Sequence, residues 1–164
     1  MPEDCKFPER LQKLRGTRTV IVGIGNILKG DDAAGPLICQ RVKEARICAE
    51  VIDVGTVPEN YIQVIVNKAP ENLLLIDALD FQAEPGTIEL FDPACLSSFA
   101  FSTHTLSPTL FLELISKQIN VEILFLGIQP GRTDFAGSPG PPVQEAISKV
   151  TDILVTTFSG KEGT

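Results

Sequence analysis

Four apolar runs constrain the fold more than any other feature of the chain: TVIVGIG at 19–25, AEVIDVG at 49–55, NLLLIDAL at 72–79 and VEILFLGI at 121–128. Each has the length of a strand and lacks the polar alternation of a sheet with one wet face, so each predicts a strand covered on both sides. Helical patterns lie between them. Residues 35–45 put Leu37, Ile38, Val42 and Ala45 on one face, and a short helix is expected from Pro58. Ser107-Pro108 has the form of an N-cap and first helical residue, ahead of Leu110, Phe111, Leu114 and Ile115. Val143, Ala146, Ile147, Val150, Ile153 and Leu154 mark a closing amphipathic helix. Strands alternating with helices predict an α/β three-layer sandwich, a mostly parallel twisted sheet of about five strands with helices on both faces. GTIELF at 86–91 alternates after the Pro85-Gly86 turn and predicts one antiparallel edge strand. Residues 129–142, QPGRTDFAGSPGPP, are too rich in Gly and Pro for regular structure and are expected as a surface loop.

With 164 residues and no repeat or long linker, the chain is expected to form one domain over 1–164. Its net charge of −7, without a Lys/Arg-rich stretch, speaks against nucleic acid and anionic membranes as partners. No apolar run approaches the ~18 residues of a membrane span. The mixed-charge start MPEDCKFPERLQKLRGTR lacks the apolar segment of a signal peptide, so a cytoplasmic location is expected. Cys5, Cys39, Cys48 and Cys95 show no C-x-x-C spacing and are expected as reduced thiols.

The stretch VIVGIGNILKGDDAAG at 20–35 begins like a dinucleotide fingerprint, but the third glycine would have to stand where Leu28 stands. Asp31 and Asp32 would also repel a pyrophosphate, since a helix N-terminus offers only about half a positive charge. Pro36 is tolerated only near a first turn, so the next helix is expected to start close to Asp32. One reading makes Asp31 or Asp32 an N-cap, a contribution of ~1 kcal/mol. Another follows from Asp53 and Asp77, which are expected to end the second and third strands. Ligands of open α/β sheets bind beyond the carboxyl ends of the strands, where the strand order reverses. His104, the only histidine, sits in FSTHTLSP and can reach the same end. Carboxylates gathered there with an imidazole form a plausible metal site.

Gly23 to Asn26 with Gly30-Asp31-Asp32, Asp53 with Gly55-Thr56, Pro58 to Asn60, LLIDALD around Asp77, STH ending at His104 and FLGIQP ending at Pro130 follow one another in a familiar order. Together they resemble the hydrogenase maturation endopeptidases, most nearly the type serving the hydrogenase of formate hydrogenlyase (hydrogenase 3). The resemblance spans the chain after about Thr19 and leaves residues 1–18 outside it. It implies an endopeptidase that removes a short C-terminal extension from the nickel-loaded precursor of a [NiFe]-hydrogenase large subunit, working as a monomer. It places the nickel ligands and catalytic set on Asp32, Asp77 and His104, and substrate selection on Asp31 and Asp53. Ala33 stands where many relatives have glycine, and Pro108 falls one place late after the histidine segment.

Two carboxylates and one imidazole make a poor cage for a permanently held metal, so the nickel is expected to arrive with the precursor. A non-catalytic nickel-binding chaperone would use the same three residues. A serine hydrolase would draw on Ser102 or Ser107 beside His104, but the chain has no G-x-S-x-G elbow.

Overall fold

The computed structural model describes residues 6–99, 106–131, 133 and 137–160. Its sheet has five strands: β1 (Thr19–Ile24), β2 (Glu50–Gly55), β3 (Asn72–Ala78), β4 (Ile88–Phe91) and β5 (Glu122–Ile128), in the order β2-β1-β3-β5-β4. All neighbours pair in parallel except β4, which runs antiparallel to β5 at the edge, as the alternation in GTIELF predicts. The helices are α1 (Lys6–Gln12), α2 (Ala34–Glu44), α3 (Ile62–Lys68), α4 (Pro108–Ser116) and α5 (Pro141–Phe158).

Both faces of the sheet are covered, which explains the unbroken apolar runs. Ile21, Leu74, Ile76 and Leu126 join the core formed with α1, α2 and α5. Val20, Val22, Leu73, Leu75 and Phe125 alternate with them and pack against α3 and α4. Each such aliphatic side chain contributes roughly 1.5–3 kcal/mol of burial. The expected cap of α4 is present: the Ser107 hydroxyl accepts from Leu110 N at 3.2 Å, with Pro108 as the first helical residue.

Within residues 1–18, which lie outside the resemblance, α1 buries Phe7 and Leu11 in the core together with Leu14. Two expectations need correction. On α2 the apolar stripe ends at Val42, since Ala45 lies exposed at the C-cap, while Cys39 is buried beside Ile38. The loop assigned to 129–142 ends early, because Pro141 and Pro142 open α5, and its first residue, Gln129, is irregular but buried and not at the surface.

The connection from β1 leads through α2 to β2 on one side, and that from β3 leads on through α4 towards β5 on the other. The strand order therefore reverses between β1 and β3, the place where open α/β sheets bind their ligands, beyond the carboxyl ends of the strands.

Candidate active site

Glycines at the end of β1 admit an acidic turn rather than a phosphate. Gly25 has φ +148°, and a Cβ there would run into the carbonyl oxygen of Asp32. Gly35 carries the start of α2 onto the strand ends, where a Cβ would lie 2.7 Å from the Ile76 carbonyl oxygen. Residues Gly30–Ala33 form a single 3-10 turn before α2, and this turn packs beside β3. Neither aspartate caps a helix: α2 has Ala33 at its N-cap and the turn has Lys29, both without a side-chain cap bond. The N-cap reading of Asp31 or Asp32 therefore fails.

Asp31, Asp32 and Asp77 are 2%, 5% and 0% exposed, and they are the only acidic residues among the buried polar groups described. Burying a carboxylate is costly unless hydrogen bonds compensate. Asp32 Oδ2 accepts from Asn26 N at 2.8 Å, closing the loop that leaves β1. Asn26 Oδ1 in turn accepts from Leu28 N at 2.9 Å, which tightens the same loop. Asp77 stands on β3 in register with Gly127 of β5, on the face shared with Leu75 and Leu79. Asp32, in the turn after β1, and Asp77, late in β3, thus lie at the carboxyl ends of the two strands between which the order reverses.

Asp53 goes elsewhere. It is paired with Gly23, two residues before the end of β2, and its Oδ1 accepts from Gly55 N at 2.9 Å. Strand alternation between Ile52 and Val54 turns it towards α2, away from the face of Asp77. There Cys39 lies buried. Burial first, and the Asp53 charge second, push its thiol up to about 12.

Asp31 binds across the molecule: its two carboxylate oxygens accept from Gly131 N at 2.6 Å and Gly140 N at 2.7 Å. His104 lies outside the described residues, and among those described no group of three or more His, Cys, Asp or Glu gathers to hold a metal ion. Two carboxylates are hard oxygen donors, and too few to retain a metal by themselves. Sequence reasoning passed over Gln129, whose side chain ties the loop after β3 to the end of β5. The only signal for it was a polar residue placed directly behind a buried strand. At the rim of this end, Ile27 and Leu28 after β1 and Val57 after β2 are 53%, 66% and 40% exposed. A bond from Gly25 N to Gly55 O, 3.0 Å, joins their two loops.

Comparison with known proteins decides the family. The model of the HycI family, hydrogenase maturation protease, matches residues 37–157. The chain is also 35% identical over 133 residues to the hydrogenase 3 maturation protease of Escherichia coli strain K12, covering 80% of this chain and 85% of that one. The chain belongs to the hydrogenase maturation proteases. A putative hydrogenase maturation protease of Methanocaldococcus jannaschii is 33% identical over 160 residues, 90% of each chain. Among solved structures, the [NiFe] hydrogenase maturation protease HycI from Thermococcus kodakarensis KOD1 superimposes with a TM-score of 0.84 at 30% identity, covering 92% of this chain and 99% of that one. The five-stranded mixed sheet with its antiparallel edge is therefore a hydrogenase maturation protease fold. No helix among the described residues of this protease is long and apolar enough to cross a membrane.

Proposed function

We propose that this chain is the endopeptidase that removes a C-terminal extension from the nickel-loaded precursor of a [NiFe]-hydrogenase large subunit, acting as a monomer in the cytoplasm. The observation that carries the reading is the placement of two buried carboxylates, Asp32 in the turn after β1 and Asp77 late in β3, at the carboxyl ends of the two strands between which the order reverses in a hydrogenase maturation protease fold. In this reading Asp32, Asp77 and His104 complete the coordination of nickel that the precursor brings. Fixing the metal fixes the adjoining peptide, so hydrolysis gains from positioning, and water is activated by the metal or by a carboxylate. The exposed Ile27, Leu28 and Val57 offer an apolar contact for a protein substrate at the carboxyl end of the sheet. Asp53, half-buried two residues before the end of β2, is proposed to take part in substrate selection.

The test is incubation of the purified protein with nickel-loaded large-subunit precursor, followed by mass measurement. A shortened precursor and a released peptide are expected. Nickel-free precursor should resist cleavage with the protease in excess, and stripping the protease with a chelator that is then removed should leave activity intact. Cleavage of nickel-free precursor would end the nickel-recognition model. Tight retention of nickel-loaded precursor without shortening would favour the chaperone instead.

A further inference from the structure

The hydrogen bonds at the carboxyl end of the sheet join three loops that are far apart in sequence. Asp31, in the loop after β1, accepts from Gly131 N, near the start of the segment between β5 and α5, and from Gly140 N at its end. Ionised acceptors make shorter and stronger bonds, and a carboxylate that grips two main-chain N–H groups fixes the distance between them. Gln129 starts that same segment and ties it to the loop after β3. Its Oε1 accepts from Phe81 N at 2.8 Å and Ala83 N at 3.2 Å. Its Nε2 donates to Asp80 Oδ1 at 3.1 Å and to the Pro130 carbonyl at 3.2 Å. All four hydrogen-bonding positions of the amide are used. A bond from Leu79 N to Ile128 O, 3.1 Å, adds a main-chain rung directly after Asp77 and Ala78. Asp32 is next to Asp31 in the chain, and Phe81 lies four residues beyond Asp77.

We infer that Asp31 and Gln129 are positioning residues, which lock the loops after β1, β3 and β5 into one frame and so hold Asp32 and Asp77 at a fixed separation. Asp31 thereby acts through the loop segment it anchors and not by choosing among substrates. The kinetic part of this inference rests on the protease reading above; the tethering itself does not.

The experiment combines amide hydrogen exchange on the full chain with steady-state cleavage of nickel-loaded precursors from two different hydrogenases, for Asp31→Asn, Gln129→Leu and the double variant. Asp31→Asn should speed exchange at Gly131 and Gly140 about tenfold or more, and Gln129→Leu should do so at Phe81 and Ala83. Each should lower kcat about 10- to 100-fold with KM changed less than about threefold, because misplaced groups lose rate before they lose binding. Both precursors should slow by the same factor, and the double variant should lose less than the product of the single losses. A variant that leaves Asp31 in place guards against misfolding. Gly140 has φ −65°, which suits proline, so Gly140→Pro deletes the N–H that Asp31 accepts and puts a ring carbon in its place, which drives the carboxylate off this end, while a Cβ at this position lies no nearer than 3.7 Å to its neighbours. Gly140→Pro should reproduce the Asp31→Asn defect and Gly140→Ala should match the wild type. Unchanged exchange at Gly131 and Gly140, multiplicative losses, or a changed preference between the two precursors would overturn the inference. If the wild type cleaves neither precursor, the protease reading falls while the exchange data still decide the tethering.

Discussion

The two ends of the sheet handle acidic residues in opposite ways. At the amino end, acids stay at the surface beside cations: Lys68 pairs with Glu50 at 3.2 Å and Arg18 with Glu71 at 4.0 Å, all in solvent. Such pairs contribute little, at most ~1 kcal/mol each. At the carboxyl end Asp31, Asp32 and Asp77 are buried, and the first two are held by main-chain N–H groups. Two glycines differ in the same way. Gly16, before β1, has φ +78° with nothing within 4 Å of a Cβ, whereas at Gly35 a Cβ would collide with strand carbonyls. Close approach at Gly25 and Gly35 thus surrounds the turn that carries Asp32.

The largest effect is expected from the buried acids. Asp77→Asn and Asp32→Asn keep side-chain volume and should lower cleavage of nickel-loaded precursor by about 10³-fold or more, with stability changed by no more than about 1–2 kcal/mol. Mass spectrometry of the product and urea unfolding of the variant read the two quantities, and an active Asp77→Asn protein would break the contrast between the ends.

Backbone contact comes next. Gly35→Ala should cost about 1–3 kcal/mol by overpacking and impair cleavage as well. Gly16→Ala should cost about 1 kcal/mol, from its positive φ alone, and leave cleavage intact. Equal losses in urea unfolding would mean that the close approach at Gly35 relaxes easily.

Cys39 sharpens the comparison through pH. Its folded-state value is raised to about 12 from 9.0, so the native state keeps a proton that the unfolded chain releases. The associated stability is complete below pH 9.0 and is lost as pH rises towards about 12, at up to ~1.4 kcal/mol per pH unit. Urea midpoints of wild type and Cys39→Ala, compared at pH 8 and pH 10, should draw together at the higher pH. Parallel shifts would show that another group carries the titration.

The smallest effect is expected at the amino end, where Lys68→Ala should cost less than about 1 kcal/mol and leave cleavage unchanged. A loss of activity there would show that the two ends are coupled.

Strand and helix order was readable because it rests on local pattern. The four apolar runs, the Ser107-Pro108 cap and the edge strand at Ile88–Phe91 all depend on neighbours a few residues away. Asp32 and Asp77 were readable as a pair for a related reason: in a parallel sheet, a position late in a strand or in the turn that follows it already implies position at the carboxyl end. Asp53 passed the same test and still faces α2, because the side of the sheet depends on register and on a strand that continues to Gly55.

What the sequence by itself determined was the layered α/β architecture, the antiparallel edge and the acidic end of the sheet, since burial periodicity and turn chemistry are properties of short segments. The tertiary structure alone decided that α1 seals the core, that Asp31 reaches Gly131 and Gly140 from 100 and 109 residues away, and that Gln129 fastens the loop after β3. A carboxylate or an amide can satisfy its hydrogen bonds with any main-chain N–H that comes within reach, and nothing in local spacing says which one the fold will bring.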